Sequence, residues 1–451
     1  MQNNSKNENR KIAVGLDIGT TKICAIALAE GERNGTYSIT GCDTVANLGV
    51  NRGVIVNIEK TVEAIKTVIH KLEQQAGTKI SEVVVGIAGD HIESFSNVST
   101  ISISNPKKVI GKSDVERIID ELKTSKISAD RKIIHIVPYE YIIDGQDGVT
   151  QPVGMYGVRM QANVHIVTGL NYSMQNIHLC VEEHCGLKVK DIILEPIASS
   201  IALLGNDEKE VGVCLIDIGG GTTDITIFKD EVLRFTSIVA IGGNKITDDV
   251  RTGIGTTRDE AERVKRTYGH SFKPSIMAKD EFFMIRGVGG APHKDIKKED
   301  LCDIIQPRVE ELFEICNEEI MKSGFANGLG AGIVLTGGSA LLKGVDELAS
   351  RIFKVPVRIG YPSGNKYIGL TTEIESPIYS TAVGLALHSL NMDSATVDSI
   401  KGSSYFEEGN GSRFVDDTVE ENMEEVVSQE NKTVEEKKNF LQKAKEFFTD
   451  L

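Results

Sequence analysis

Two turns of nearly the same sequence, about 200 residues apart, limit what this chain can fold into. The first lies in VGLDIGTTKICAIALA (residues 14–29) and the second in VCLIDIGGGTTDITIF (residues 213–228). Each runs from an apolar, β-branched segment through Asp-Ile-Gly and a Thr pair into a second apolar segment, a pattern typical of a hairpin. The repeat predicts a duplicated domain, with one turn from each half facing a shared cleft.

The residue types in these turns suit a phosphate group. Backbone N–H groups of Gly and Thr turns form anion nests, and glycine lets the backbone approach a ligand closely. Asp17 and Asp217 can hold a hydrated divalent cation, and Lys22 adds a positive charge. A single Asp-Gly turn also occurs in ordinary hairpins, whereas a matched pair is far more specific. We therefore predict a nucleotide as the ligand.

A third glycine segment, GIVLTGGSALLKGVDELASRIF (residues 332–353), predicts a buried strand, a glycine pair and an amphipathic helix. Gly337 and Gly338 would let the backbone approach a flat group, and Ser339 is placed to cap the helix. Taken alone, the same pattern also fits close packing of a helix on a strand.

A fourth segment, IGGNKITDDVRTGIGTTRDEAERVKRTYG (residues 241–269), predicts two helices. Gly242 and Gly243 open the first, and Glu262 and Lys265 lie one turn apart on the second. This pair could contact a ribose or a base edge, or it could be a surface ion pair of small energetic value.

Composition excludes several classes of protein. The length of 451 residues indicates more than one domain. Seven cysteines without regular spacing argue against a disulfide framework and for a reducing cytoplasm. The polar start MQNNSKNENRK is not a signal peptide, and no apolar run approaches the roughly 18 residues of a membrane span. A net charge of -15 disfavours nucleic acid as a partner.

Much of that charge lies in residues 391–436, which hold 13 acidic and three basic residues. Few large apolar residues interrupt them, so the segment is predicted to be a flexible acidic linker. The globular body is therefore expected to end near Leu390.

The last segment, KKNFLQKAKEFFTDL (residues 437–451), has one apolar stripe at helical spacing. The stripe consists of Phe440, Leu441, Ala444, Phe447, Phe448 and Leu451. The flanking lysines, Lys437, Lys438, Lys443 and Lys445, can reach anionic headgroups. A tethered amphipathic helix of this kind predicts binding to an anionic membrane surface. The alternative is a helix that docks on its own body or on a partner protein.

The segment HLCVEEHC (residues 178–185) contains two His and two Cys residues, which raises the question of a zinc site. It follows a helical pattern that places those side chains on different faces, so a structural role is favoured. Cys24 and Cys214 lie in apolar strands and are predicted to be core residues.

The order DIGTTK, DIGGGTTD and TGGSALLKG resembles the two phosphate motifs and the adenosine motif of the actin, sugar-kinase and heat-shock ATPase superfamily. Within it the chain is most similar to the bacterial cell-division family FtsA, over about residues 11–390 and again in the acidic tail with its terminal helix. The resemblance implies an α/β, actin-like (ribonuclease H-like) fold with duplicated domains around a nucleotide cleft. It also implies ATP and Mg²⁺ as cofactors.

Carried over residue by residue, the resemblance assigns three groups of nucleotide-binding residues. The first phosphate turn comprises Asp17, Gly19, Thr20, Thr21 and Lys22. The second comprises Asp217, Gly219, Gly220, Gly221, Thr222 and Thr223. The nucleoside would be surrounded by Gly243, Glu262, Lys265, Gly337, Gly338 and Ser339.

The resemblance also divides the chain. It implies a disordered N-terminus (1–10), domain 1 (11–86, 161–195, 360–390), subdomain 1C inserted in it (87–160), domain 2A (196–228, 306–359), subdomain 2B inserted in that (229–305), the acidic linker (391–436) and the terminal helix (437–451). The strand QANVHIVTGL (residues 161–170) is expected to resume the main sheet after the insertion.

Partners follow from the same resemblance. Subdomain 1C is expected to contact neighbouring protomers of a filament or other division proteins. Subdomain 2B is expected to receive the acidic C-terminal peptide of the tubulin-like protein FtsZ, with Lys294, Arg308 and Glu311 at the contact. Arg308 and Glu311 could equally be a solvated pair on a helix.

The resemblance implies a role in ATP hydrolysis for one residue, Glu195. In LEPIASSIALL (residues 194–204), the segment that joins the two halves, Glu195 matches the residue that positions the attacking water in related ATPases. It could instead be a hinge or packing residue, and any hydrolysis is expected to be slow.

The resemblance, together with the terminal helix, implies a protein that polymerises on the inner face of the cytoplasmic membrane, tethers FtsZ there and recruits later division proteins. A chaperone would need a folded substrate domain after residue 390, and the acceptor-activating Asp of a sugar kinase cannot be identified. A PilM-type pilus-assembly protein is the nearer alternative, although a tethered basic helix is not expected of one.

Overall fold

A computed structural model describes residues 12–33, 35–124, 127–276, 281–364 and 366–393. All of them belong to one compact unit. The predicted acidic linker and the terminal amphipathic helix lie outside the described residues.

The described chain contains both strands and helices. The strands are β1 (Ile12–Ile18), β2 (Lys22–Glu30), β3 (Tyr37–Ala46), β4 (Val50–Asn51), β5 (Val54–Ile55), β6 (Glu82–Ile87), β7 (Glu93–Ser102), β8 (Arg131–Ile143), β9 (Gln146–Val149), β10 (Arg159–Leu170), β11 (Lys188–Leu194), β12 (Val213–Ile218), β13 (Thr223–Lys229), β14 (Val232–Val239), β15 (Phe282–Ile285), β16 (Lys294–Lys297), β17 (Ile333–Thr336), β18 (Val357–Ile359) and β19 (Tyr367–Gly369).

The α-helices are α1 (Ile58–Ala76), α2 (Lys112–Lys123), α3 (Asn171–His178), α4 (Glu195–Leu203), α5 (Asn206–Val211), α6 (Gly243–Ile254), α7 (Arg258–Tyr268), α8 (Lys298–Lys322), α9 (Val345–Phe353), α10 (Thr371–Ile374) and α11 (Ser380–Asp393). A π-helical turn, Leu179–Glu183, extends α3.

Helix α1 illustrates how local sequence sets an element. The side chain of Asn57 accepts a hydrogen bond from the backbone N–H of Lys60 and caps the first turn. The buried residues of α1 recur at spacings of three and four: Thr61, Ala64, Ile65, Val68, Ile69 and Leu72. This stripe packs against the sheet of the first half, which is why the segment is a helix rather than a loop.

Two sheets repeat the same topology. The first has the order β11-β6-β1-β2-β3-β19 and the second has the order β14-β13-β12-β17-β18. In each, three strands form antiparallel hairpins (β1, β2, β3 and β12, β13, β14), and two parallel strands follow on the other side (β6, β11 and β17, β18). The duplication predicted from the matched turns is therefore present in the fold.

A separate four-stranded sheet, β7-β10-β8-β9, forms the inserted subdomain. One face is covered by α2, with Ile118, Ile119 and Leu122 buried against it. Strand β10 belongs to this sheet and not to the main sheet, so the prediction for residues 161–170 is wrong. Its whole length is paired with β7 and β8, which leaves it no edge for the main sheet.

The second insertion begins later than predicted. Residues 232–239 form β14, which pairs with β13 inside the five-stranded sheet instead of opening a separate subdomain. The insertion proper holds α6, α7 and the hairpin of β15 and β16, and α8 leads back to the sheet. The apolar sides of α6, α7 and α8 share one core with that sheet, in which Phe313 is fully buried.

Candidate nucleotide site

The two matched turns lie at the ends of equivalent hairpins. The first connects β1 to β2 with Asp17 paired to Cys24, and the second connects β12 to β13 with Asp217 paired to Asp224. Both pairs span the same number of residues, so the turns are of equal length. Asp17 and Asp217 are structurally equivalent, as predicted.

The Thr pairs are not equivalent. Thr20 and Thr21 lie within the first turn, whereas Thr223 already begins strand β13 and is paired with Ile218. Thr223 is fully buried, and its hydroxyl donates a hydrogen bond of 2.8 Å to the carbonyl of Ile241. Its side chain therefore holds the chain behind the turn instead of facing the cleft.

Lys22 is the cation of the first turn. Its Nζ lies 3.4 Å from Oδ2 of Asp17 and also donates to the carbonyl oxygen of Ile378. Burial lowers the pKa of Lys22, but the neighbouring acidic groups, chiefly Asp17, together outweigh that effect and the net pKa is raised. The lysine is thus positively charged at neutral pH.

Asp217 is held from two helices. Ser199 on α4 donates to Oδ2 of Asp217 at 3.1 Å, and Thr381 on α11 donates to the same oxygen at 3.5 Å. The glycine at 337 is required here, because its φ is +87° and a Cβ on it would lie 2.3 Å from Oδ1 of Asp217.

Four carboxyl groups line the cleft: Asp17, Glu195, Asp217 and Asp224. Burial, followed by the charge of Asp17, raises the pKa of Asp217 to about 6. The pKa values of Glu195 and Asp224 are raised well above their ordinary range, first by burial and then by the neighbouring carboxylates. Within the described chain, Oδ1 of Asp224 is buried without a hydrogen-bond partner. Burial and mutual repulsion therefore disfavour ionisation of these carboxyl groups, and a bound cation would favour it.

The cleft lies between the two matched turns and is lined by residues of both halves of the protein. Of the predicted phosphate-turn residues, all but Thr223 line it, as do Gly337 and Gly338. Glu195 also lines it, at the first position of α4, with its Cγ close to Gly86.

The remaining predicted residues lie beside the second turn rather than on the cleft lining. The N–H of Gly243 donates to the carbonyl of Gly219 at 2.9 Å, and Ser339 donates to the same carbonyl at 3.3 Å. Ser339 therefore does not cap the following helix, since α9 begins after Gly344.

Glu262 and Lys265 form an ion pair of 2.7 Å on α7. Lys265 is tied inward, because its Nζ also donates to the carbonyl of Gly243 at 3.1 Å and to Thr247 at 2.8 Å. The pair thus joins α7 to the start of α6 next to the second turn, which places it with the other predicted nucleoside residues.

Two of the predicted peptide-binding residues, Arg308 and Lys294, contact helix α6. Arg308 on α8 forms ion pairs with Asp249 on α6 and with Glu311, one turn along α8. Lys294 donates at 3.5 Å to the carbonyl of Ile254, where α6 ends. Arg308 is therefore already paired with carboxylates of the chain itself.

Several site residues were not predicted. Asp224 is part of the motif DIGGGTTD and could have been found from it, because it occupies the register position opposite Asp217. Ser199, Thr381, Gly53 and Ala88 carry no local signal and reach the site only through the fold.

In residues 178–185, the side chains of His178 and Cys180 lie in different surroundings. Cys180 is fully buried in the core of the first half, and His178 pairs with Glu182. No group of three His, Cys, Asp or Glu side chains in the described ranges is arranged to hold a metal ion. Cys24 and Cys214 are core residues, as predicted.

Among the described residues, no helix is both long and apolar enough to cross a bilayer.

Solved structures define the class of fold. The PilM-PilN type IV pilus biogenesis complex superposes with a TM-score of 0.60 at 16% identity, covering 85% of this chain and 99% of that one. MreB 5 of Spiroplasma citri bound to AMPPNP gives a TM-score of 0.52 at 15% identity, with coverage of 85% and 98%. The chain has the actin-like fold predicted from its motifs.

Sequence comparison identifies the family. A family model for the cell division protein FtsA matches residues 214–384, and a model for the SHS2 domain inserted in FtsA matches residues 89–168. The FtsA of Pseudomonas aeruginosa is 40% identical over 399 residues, covering 88% of this chain and 94% of the relative. That of Escherichia coli K12 is 38% identical over 387 residues (84% and 90%), and that of Bacillus subtilis is 34% identical over 379 residues (84% and 83%). The chain belongs to the FtsA family of cell division proteins, and the pilus-assembly alternative is not favoured.

Proposed function

We propose that the chain binds ATP with Mg²⁺ in the cleft between its two halves and uses it to assemble into filaments. The observation that carries the proposal is the convergence of two equivalent turns on a cleft with four carboxyl groups and one lysine. The glycine-lined backbone suits phosphate oxygens, and the unpaired oxygen of Asp224 suits a hydrated cation.

In this proposal Asp17 and Asp217 hold Mg²⁺ through water, and Asp224 stands beside them. The ion would neutralise phosphate charge. Lys22 and the N–H groups of the first turn bind phosphate oxygens, and Gly219 to Thr222 do so from the other half. The block of Gly243, Glu262, Lys265 and Ser339 would border the nucleoside, because it surrounds the outer side of the second turn.

Glu195 is the residue we assign to hydrolysis. It lines the cleft, and burial together with the neighbouring carboxylates raises its pKa, which makes its ionised form a stronger base. Its role would be to orient an attacking water and to accept a proton from it. Slow turnover suits a protein whose polymer state depends on the bound nucleotide.

The cellular role we propose is that of a membrane-bound adaptor. Filaments would lie on the inner face of the cytoplasmic membrane, held through the terminal stripe of Phe440, Leu441, Ala444, Phe447, Phe448 and Leu451 together with Lys443. Many weak helices on one filament would add up to strong attachment. The inserted subdomain would contact neighbouring protomers and later division proteins.

The C-terminal peptide of FtsZ would bind at the surface of Lys294, Arg308 and Glu311. Support comes from the contacts that both residues make with α6, Arg308 with Asp249 and Lys294 with the carbonyl of Ile254. An acidic peptide would have to displace Asp249 from Arg308, so binding should be of moderate strength and sensitive to salt. Arg308→Glu should abolish peptide binding, whereas Lys322→Glu, an exposed change on the same helix, should not.

Co-sedimentation with anionic liposomes, with and without ATP, tests the adaptor role. We expect the intact protein to sediment and the Phe447→Ala, Phe448→Ala double variant to remain in solution. Gln442→Ala on the same segment serves as the control. Equal binding by the double variant, or none by the intact protein, would overturn the membrane role and leave a nucleotide-binding actin-like protein.

A further inference from the structure

A third turn, between β4 and β5, lies against both phosphate turns. The N–H of Gly53 donates to the hydroxyl of Thr20 at 3.1 Å. On the other side, a Cβ added to Gly221 would lie only 2.9 Å from the Cα of Arg52. Gly221 is therefore needed for this close approach, and Arg52 sits where the two halves of the protein meet.

The backbone of Arg52 is in an uncommon conformation. Its φ is +48°, in the left-handed region that residues with a Cβ rarely adopt. Such conformations persist where the surrounding structure requires them, and they concentrate at functional sites. Here the contacts of the turn with Thr20 and Gly221 hold the backbone of Arg52 in this conformation.

The side chain of Arg52 is weakly held. In the described chain its ion-pair partner is Asp90, at 3.8 Å, and the two side chains are 46% and 39% exposed. An exposed pair at this separation contributes little, so the guanidinium can leave it at small cost. Asp90 follows Ala88, which lines the cleft.

Binding of a triphosphate in this cleft would be favoured by a basic side chain in addition to Lys22. Lys22 is the one Lys or Arg among the residues that line the described cleft, and it is already engaged by Asp17 and Ile378. A triphosphate brings more negative charge to a site that has four carboxyl groups. Arg52 is the neighbouring cation with a flexible stem and a planar group suited to phosphate oxygens.

We infer that Arg52 leaves Asp90 and binds the terminal phosphate of ATP, so that it distinguishes ATP from ADP. The terminal phosphate is the one in question because Arg52 lies at Gly221 and Thr20, whereas the block expected at the nucleoside surrounds Gly219. The inference rests on the proposed binding of ATP in this cleft.

The test is equilibrium binding of ATP and of ADP, each with Mg²⁺, to the full-length protein. Arg52→Asn removes the charge and keeps a residue that tolerates the left-handed conformation. We expect it to weaken ATP binding about 10- to 100-fold and to leave ADP binding within about twofold. Arg52→Lys should retain most of the ATP affinity, and Asp90→Asn should bind ATP as tightly as the parent or more tightly.

Arg251→Asn is the matched control, because Arg251 is 49% exposed and lies 3.9 Å from Asp248, away from the cleft. Its nucleotide affinities should be unchanged. Unaltered ATP binding by Arg52→Asn, or an equal loss for ATP and ADP, would overturn the role of Arg52 while the proposed function stands. If the parent protein binds neither nucleotide, the proposed function fails and the inference fails with it.

Discussion

Asp217 on β12 and Asp224 on β13 are direct register partners, so two buried carboxyl groups lie side by side on one face of the second hairpin. Asp17 of the first hairpin adds a third charge that raises the pKa of Asp217. An arrangement of like charges is unfavourable in the nucleotide-free protein and becomes favourable when a cation binds. We therefore expect these carboxyl groups to lower the stability of the folded protein until a cation binds.

A dependence of stability on pH follows from Asp217. Its folded pKa of about 6 exceeds the ordinary 3.8, so the folded protein binds more protons than the unfolded chain between these values. This contribution to the free energy of unfolding is present below about pH 4 and is lost as the pH rises to about 6. Melting curves in EDTA should show that Asp217→Asn is more stable than the parent at pH 7, with the difference vanishing near pH 4. A difference that does not change with pH would contradict this.

The ion pair of Lys22 and Asp17 should contribute strongly because both groups are largely buried. Lys22→Met leaves a carboxylate without its cation, and we expect a loss of about 3 kcal/mol in urea unfolding. The double variant Asp17→Asn, Lys22→Met should recover most of it. Lys71→Met is the control, because Lys71 lies at the similar distance of 3.3 Å from Asp43 but is 47% exposed. It should lose less than about 1 kcal/mol. If Lys22→Met and Lys71→Met lost the same free energy of unfolding, burial would not explain the strength of the Lys22–Asp17 pair.

Gly337→Ala should damage both stability and the site. The new Cβ would press on Oδ1 of Asp217 and would also have to adopt a φ of +87°. We expect a lower melting temperature and an ATP affinity reduced at least about 10-fold. Gly364→Ala separates the two effects, since Gly364 has a φ of +99° but nothing within 4 Å of the added Cβ. That control should cost about 1 kcal/mol of stability and no affinity.

Glu195→Gln should separate binding from hydrolysis. The amide keeps the shape of the side chain in the cleft but cannot accept a proton from water. Phosphate release at saturating ATP should fall about 100-fold while ATP affinity stays within about threefold. An unchanged rate would make Glu195 a packing residue of α4, consistent with its contact with Gly86.

Much of the fold could be predicted from local pattern. The hairpins around Asp17 and Asp217, the strand before Gly337 and the two helices of residues 243–268 follow from alternation, periodicity and glycine positions. The assignment of β10 failed, because a strand of twelve apolar and polar residues carries no sign of which sheet will pair with it. The prediction that Ser339 caps a helix failed for a related reason. A serine hydroxyl has several possible hydrogen-bond partners nearby, and only the tertiary packing places the carbonyl of Gly219 within its reach.

Local sequence was enough to predict the duplicated architecture and the glycine-rich form of the two turns, because both depend on residues that are neighbours in the chain. The tertiary structure alone decided the chemistry of the cleft. Asp217 meets Thr381 164 residues further along the chain, and Arg52 meets Gly221 across the two halves. The raised pKa values of Asp217, Asp224 and Glu195 arise from burial and mutual repulsion, and these exist only once packing has removed water and brought the carboxyl groups together.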